Sequence, residues 1–287
     1  MAFVLDHLVR KSLHLGGFES RYVPTSVGDM HVVQGRGGGS LDPVLLLHGF
    51  SAAGIHFASL LRRLRPHVRR LVAPDLPAHG FSAVPPEGAN PQTMRAGLYE
   101  SLLSVLDEPM VVFGNSMGGF AAIRMAQDHP ERVRALVLCS PGGAKMDEAQ
   151  LHEFRKTFHL DTQQAAVEFI DKLFGRPMLM RQVLAWGVKR KLTTQQMRGL
   201  IDGVSVADLL EAEDLRSLKM PILLVWGRRD GILPGYQREF FRTHLPAHTQ
   251  IAEPDGFGHS PYLEAPGPLA TEILRFLRAL PPAETSS

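Results

Sequence analysis

Residues 110–126, MVVFGNSMGGFAAIRMA, pass from an apolar run of strand type to a helical one with only small or flexible residues at the joint. Gly114-Asn115-Ser116-Met117-Gly118 at such a joint has the form of a nucleophile elbow. The turn is so tight that the residues flanking the serine must lack side chains, and the Ser116 hydroxyl is pushed out above the sheet. Gly114, Gly118 and Gly119 meet that demand. In a chain with 27 glycines the pentapeptide alone is a weak signal. Its surroundings make it specific: four apolar residues precede it and the helix-like Phe120 to Ala126 follow it. The bland alternative is a glycine-rich turn that happens to contain a serine, and the groups that could act with Ser116 argue against it.

A serine hydroxyl is a poor nucleophile near neutral pH unless a base takes its proton, and that base must be held in one tautomer by an acceptor. Of the 13 histidines, His259 is the best placed. It sits in Gly256-Phe257-Gly258-His259-Ser260-Pro261, a flexible loop after the last strand, from which a ring can reach back over the sheet edge. The candidate acid is Asp230, in Trp226-Gly227-Arg228-Arg229-Asp230-Gly231, where it hangs from the end of the preceding strand. Asp255 is nearer to His259 in sequence and is the rival, but beside Gly256 it reads better as a turn residue. Attack on an acyl carbon creates an oxyanion, which needs donors already in place. The backbone N–H of Met117, just after the nucleophile, and that of Phe50, in the loop after Leu47, are the candidates. His48 and His79 read as residues that brace their loops. No histidine pair has metal-ligand spacing on a helix, and the chemistry calls for neither metal nor cofactor.

The elements that must carry these residues follow from periodicity. Tyr22 to Val33 reads as a hairpin turned at Gly28-Asp29. Strand patterns at Pro43–Leu47, Val68–Ala73, Met110–Phe113 and Val133–Cys139 alternate with helical ones at Ile55–Leu64, Thr93–Leu106 and Met117–Asp128. That alternation implies a parallel sheet with crossover helices on both faces and the hairpin as an antiparallel edge. From 146 to 215 the spacing is helical only, and Thr193 followed by Gln196 has the spacing of a capping box. Strand character returns at Pro221–Trp226 and near Thr249–Ala252, before a closing helix from Pro268 to Leu280. The expected organisation is a core of residues 1–140 and 216–287 interrupted by a helical cap at 141–215. The Gly/Pro-rich stretches 35–39 and 85–91 read as surface loops.

With 287 residues, 44% of them hydrophobic, and a formal net charge of +2, the chain has the material for a large core and no charge excess that points to nucleic acid. The run Arg62, Arg63, Arg65, Arg69, Arg70 reads as a solvated helix face. The single cysteine, Cys139, lies in an apolar run and is expected to be buried and inert; it excludes an internal disulfide. No apolar stretch approaches the roughly 18 residues of a membrane span. The start, MAFVLDHLVRKSLHL, is broken by Asp6, His7, Arg10 and Lys11 and lacks the apolar region of a signal peptide, which makes the expected location cytoplasmic. It reads as a short amphipathic helix, with Phe3, Leu5, Leu8 and Val9 on the side that docks on the protein's own body, membrane contact being the lesser alternative. The oligomeric state is left open.

Taken together, His48-Gly49-Phe50, Asp75-Leu76-Pro77-Ala78-His79-Gly80-Phe81-Ser82, Gly114-Asn115-Ser116-Met117-Gly118-Gly119, Asp230 and Gly258-His259 resemble the α/β-hydrolase superfamily in order and spacing over nearly the whole chain. The resemblance implies the α/β-hydrolase fold, with an eight-stranded, mostly parallel sheet. It also implies that the helical insertion is a cap or lid closing over Ser116 and selecting substrates. Within the family, Gly-Asn-Ser-Met-Gly-Gly followed by Ser140-Pro141-Gly142-Gly143 is similar both to monoacylglycerol-lipase-like esterases and to hydrolases that cleave carbon-carbon bonds in aromatic ring-fission (meta-cleavage) products. The latter typically carry a Ser/Gly/Asn-rich loop after the His-Gly step and a Trp soon after the catalytic histidine. Here those places hold Phe50-Ser51-Ala52-Ala53-Gly54 and Ser260-Pro261-Tyr262, which favours an ester hydrolase. The expected activity is hydrolysis of a small-molecule carboxylic ester of small or medium acyl chain, monoacylglycerol among the candidates, through an acyl-enzyme. A catalytically idle binding protein on the same fold is the third reading.

Overall fold

The computed structural model describes residues 2–86 and 90–282. These form an eight-stranded sheet in the order β1-β2-β4-β3-β5-β6-β7-β8. The strands are β1 (Glu19–Val23), β2 (Met30–Arg36), β3 (Val44–Leu47), β4 (Arg70–Pro74), β5 (Met110–Ser116), β6 (Val133–Pro141), β7 (Ile222–Val225) and β8 (Gln250–Ala252). β2 runs antiparallel to both β1 and β4, and every later neighbour pair is parallel. Among the described residues no helix is long and apolar enough to cross a membrane.

The central strands are continuous apolar runs because both of their faces are covered. Side chains alternate between faces along a strand, and the two halves of the core divide accordingly. Leu45, Leu47, Val72, Val112, Leu136, Leu138 and Leu224 point to one side. Val44, Leu46, Leu71, Val111, Phe113, Val137, Cys139 and Val225 point to the other. The second face is covered by α1 (Ala2–Leu15), α2 (Ala58–Leu64) and the closing helix Pro266–Ala279, through Leu13, Leu60, Leu61, Leu64, Leu269, Ile273 and Phe276. The first face is covered by α3 (Pro91–Val105) and α4 (Met117–Asp128), through Leu98, Leu102, Ile123 and Met125.

Between β6 and β7 come only helices: α5 (Glu148–Lys156), α6 (Gln163–Leu173), α7 (Arg181–Leu192), α8 (Gln195–Asp202) and α9 (Ala212–Arg216), with a 3-10 turn at Val206–Asp208. This insert rests on the carboxyl ends of the strands. Gln196 Nε2 donates to Ala78 O at 2.7 Å, and Lys191 Nζ lies 3.5 Å from Ala52 O. At its far end, Asp214 is tied to α4 by Arg124 and Gln127. The chain then continues through α10 (Gly235–His244), the single turn α11 (Pro261–Glu264) and α12 (Pro266–Ala279).

Three local expectations are corrected. The cap of α8 is Thr194, whose Oγ1 accepts from Met197 N; Thr193 instead donates to Lys189 O, and Gln196 is spent on Ala78 rather than on a capping box. On α1 the docked side carries Val9 and Leu13, while Leu5 and Leu8 are exposed; the side chain of Phe3 lies outside the described residues. Polar contacts accompany the docking: Asp6 approaches His56, and the Arg10 guanidinium lies 4.5 Å from the Phe81 ring centre. The arginine run is not merely solvated, because Arg69 pairs with Glu108 and Arg70 with Asp107. Of the stretch 85–91, residues 87–89 lie outside the described residues.

The loops after β3 and β4 are set by buried polar groups. The Asp75 carboxylate, fully buried, accepts from Gly54 N at 2.6 Å and Phe81 N at 2.7 Å, and lies 2.9 Å from His31 Nδ1. Burial works to raise its pKa, but His31, His48 and the Phe81 N–H outweigh it and hold the carboxyl below its usual range. His48 has both ring nitrogens committed: Nδ1–H donates to Gly49 O and Nε2 accepts from Leu76 N. His79 donates from Nδ1 to Pro77 O. Burial pushes the pKa of His48 down to about 3 and that of His79 down to about 4. Both rings are therefore neutral braces near pH 7.

Two predictions follow from this frame. A Cβ on Gly118 would stand 2.1 Å from Leu47 O, so Gly118→Ala should lower stability by about 1–3 kcal/mol in urea unfolding. Between pH 4 and 6.5 the unfolded chain binds protons that folded His48 and His79 refuse, so stability rises with pH across that window. His79→Gln should make the slope near pH 5 shallower by roughly one proton, about 1.4 kcal/mol per pH unit; an unchanged slope would contradict the neutral-brace role.

Candidate active site

Ser116 closes β5 and caps α4 in a backbone conformation of φ 54°, ψ −119°. Such a conformation in a non-glycine residue costs on the order of 1–3 kcal/mol and persists only where its surroundings over-determine it. They do so here through close backbone approaches. A Cβ on Gly114 would stand 2.3 Å from Gly118 O, and one on Gly119 would stand 2.7 Å from the Pro141 Cβ. Gly142 N donates to Ser116 O at 2.9 Å, which fixes the exit of the turn against the end of β6. The serine side chain is left half-buried at the carboxyl edge of the sheet.

The loop after β3 runs beside it. A Cβ on Gly49 would lie 3.2 Å from the Ser116 Cβ, so His48-Gly49-Phe50 passes alongside the serine. As the first residue of α4, Met117 has an N–H with no intrahelical carbonyl to bond. Among the described residues the Phe50 N–H has no backbone acceptor either.

Asp230 follows β7 and turns its carboxylate inward. Its Oδ1 accepts from Ile232 N at 2.9 Å and Leu233 N at 3.1 Å, and its Oδ2 lies 2.8 Å from His259 Nδ1. Both side chains are almost fully buried. Burial works to raise the Asp230 pKa, but the His259 ring and the two N–H groups outweigh it and hold the carboxyl below its usual range. An ionised Asp230 can only accept, so His259 Nδ1 carries the proton and Nε2 is left with a lone pair. Asp255, the rival acid, pairs at the surface with Arg228 instead.

The pair is tied to the elbow through the backbone. The Asn115 side chain donates from Nδ2 to His259 O at 2.8 Å and to Cys139 O at 2.9 Å. The residue that precedes Ser116 thus holds the main chain of His259. Among the described residues no hydrogen bond joins the Ser116 hydroxyl to the His259 ring; in ligand-free enzymes such contacts are often long and tighten only on substrate binding. Cys139 is buried beneath the site, and burial pushes its thiol pKa up, which keeps it protonated.

Sequence reasoning assigned no role to Asn115, Asp75 or Lys191. Asn115 reaches His259, Lys191 reaches Ala52, and Asp75 reaches His31 and Gly54, and no local pattern announces these partners.

The model of the alpha/beta hydrolase family matches residues 44–272. A pimeloyl-(acyl-carrier protein) methyl ester esterase of Xanthomonas campestris pv. campestris is 30% identical over 252 residues, covering 83% of this chain and 96% of that one. Lipase 1 of Psychrobacter immobilis is 26% identical over 257 residues, covering 86% of this chain and 80% of that one. Among solved structures, a bacterial membrane phospholipase A superposes with a TM-score of 0.80 at 24% identity, covering 96% of this chain and 91% of that one; at that identity the likeness speaks for the fold. The sheet, the covering helices and the similarity to esterases agree, and the chain belongs to the alpha/beta hydrolase family.

Proposed function

We propose that the protein is a serine hydrolase that cleaves carboxylic esters through an acyl-enzyme, with Ser116 as nucleophile, His259 as general base and Asp230 as the group that orients it. The observation that carries this reading is the buried Asp230–His259 pair at 2.8 Å, with the His259 backbone held by the neighbour of a serine on a strained elbow. Its chemistry is acyl transfer. Ser116 Oγ attacks the ester carbonyl carbon while its proton passes to His259 Nε2. The carbonyl oxygen becomes an oxyanion, and the N–H groups of Phe50 and Met117 receive it. The C–O bond to the alcohol breaks, the imidazolium returns its proton to the departing oxygen, and the acyl group remains on Ser116. Water, deprotonated by His259, then attacks the acyl carbon; the bond to Ser116 Oγ breaks, the imidazolium returns its proton to that oxygen, and the acid is released. Asp230 stays ionised throughout and stabilises the imidazolium.

In this reading residues 1–140 and 216–287 are the catalytic core and 141–215 the cap. The acyl group of the ester lies against apolar rings. Phe50, whose N–H is one proposed oxyanion donor, has its ring 5.5 Å from Phe158 of the insert, and Phe158 meets Phe154 and Phe169 edge to face. This apolar wall beside Phe50 supports an acyl chain of small or medium length, with a monoacylglycerol among the esters to try.

On p-nitrophenyl butyrate, Ser116→Ala should lower kcat/KM by at least about 10⁴-fold with the fold intact. Unchanged hydrolysis would refute the assignment. Asp230→Asn, which can donate to Nδ1 and so reverse the tautomer, should cost about 10³–10⁴-fold in kcat. A series of acyl esters assayed beside a coloured ring-fission dienoate should show turnover of the short and medium esters only; preferential turnover of the dienoate would favour carbon-carbon bond cleavage.

A further inference from the structure

Glu264 stands five residues after His259, in α11, and is only 4% exposed. Its two carboxylate oxygens serve different parts of the chain. Oε1 accepts from Gly258 N at 2.6 Å, and Oε2 accepts from Gly175 N at 2.8 Å. Gly258 immediately precedes His259, and Gly175 follows α6 of the insert. The two segments touch with no space for side chains: a Cβ on Gly175 would stand 2.8 Å from Gly258 N, and one on Gly258 would stand 2.3 Å from Gly175 N.

Other bonds cross the same seam. His259 N donates to Leu173 O at 2.9 Å, Gly231 N to Lys172 O at 3.0 Å, and Arg229 Nη1 to Gly175 O at 2.9 Å. Arg176 of the insert donates to the Glu264 carbonyl. The last turn of α6 and the segment after it are therefore bonded to the residues around both Asp230 and His259.

The side-chain type is informative. Burying a carboxylate is costly unless its oxygens are hydrogen-bonded. Two N–H groups converging from separate segments need two acceptor atoms in a fork, and only a carboxylate offers these with no donor among them. Such bonds are charge-assisted and stronger than neutral ones. An apolar residue would leave two buried N–H groups unpaired, and an amide would turn its NH₂ toward one of them.

We propose that Glu264 is a positioning residue for His259: its carboxylate clamps the chain after α6 to the His259 loop, so that the ring paired with Asp230 is held in place by the insert. This rests on the reading of His259 as the general base. Glu264 touches no reacting atom. It acts through the Gly258 N–H, one peptide away from His259.

The test compares wild type, Glu264→Gln, Glu264→Asp and His259→Ala on p-nitrophenyl butyrate, with kcat and KM separated and melting temperatures recorded. Glu264→Gln keeps the size of the side chain and one acceptor. It should lower kcat about tenfold or more at nearly unchanged KM, as expected when a reacting group is misplaced by a fraction of an ångström. Glu264→Asp, with two oxygens on a shorter stem, should recover part of the loss. The downfield proton resonance of His259 Nδ1–H should broaden or vanish in Glu264→Gln. Inactive His259→Ala together with wild-type kcat and an unchanged resonance in Glu264→Gln would overturn the clamp. Wild-type activity in His259→Ala would instead overturn the assignment of the base.

Discussion

The structure depends on backbone meeting backbone at the elbow. Gly114 lies against Gly118, and Gly118 lies against the carbonyl of Leu47, with no space for a β-carbon at either place. That contact brings the ends of β3 and β5 together and forces Ser116 into a conformation that a side chain otherwise avoids. The same contact sets the Gly49 loop beside the serine. Strain and close packing are one feature here, because the strained turn can exist only where neighbours on both sides hold it.

Around this point, the role of three histidines follows from their surroundings. His48 and His79 bond backbone groups in dry surroundings and are held neutral. His259 faces a carboxylate that two N–H groups keep ionised. Three rings of one chemical type thus divide into two braces and one ring paired with a carboxylate. Burial keeps the two braces neutral against the pull of their carbonyl acceptors, and Asp230 is the acceptor that fixes the third ring.

Much of the fold was legible from periodicity. The bounds of α4, Met117–Asp128, follow from an abrupt change of period at Ser116, and the apolar runs of β3, β5, β6 and β7 mark strands covered on both faces. The insert was legible only as helical spacing. How its helices lie is decided by contacts such as Gln196 to Ala78, which span more than a hundred residues and leave no local trace. Asn115 reaching His259 and Glu264 reaching Gly175 likewise leave no local trace. On α1, hydrophobicity pointed to Leu5 and Leu8, but the helix docks through Val9 and Leu13, with Asp6 near His56 and Arg10 against the Phe81 ring, and Leu5 and Leu8 face outward.

The central claim is that one alcohol in the chain is made nucleophilic by its surroundings, and it can be read directly from covalent chemistry. The folded protein is treated with a fluorophosphonate probe, its intact mass is measured, and the modified peptide is mapped. The account predicts one adduct per chain, on Ser116. An unmodified protein, or an adduct on another residue, would contradict it.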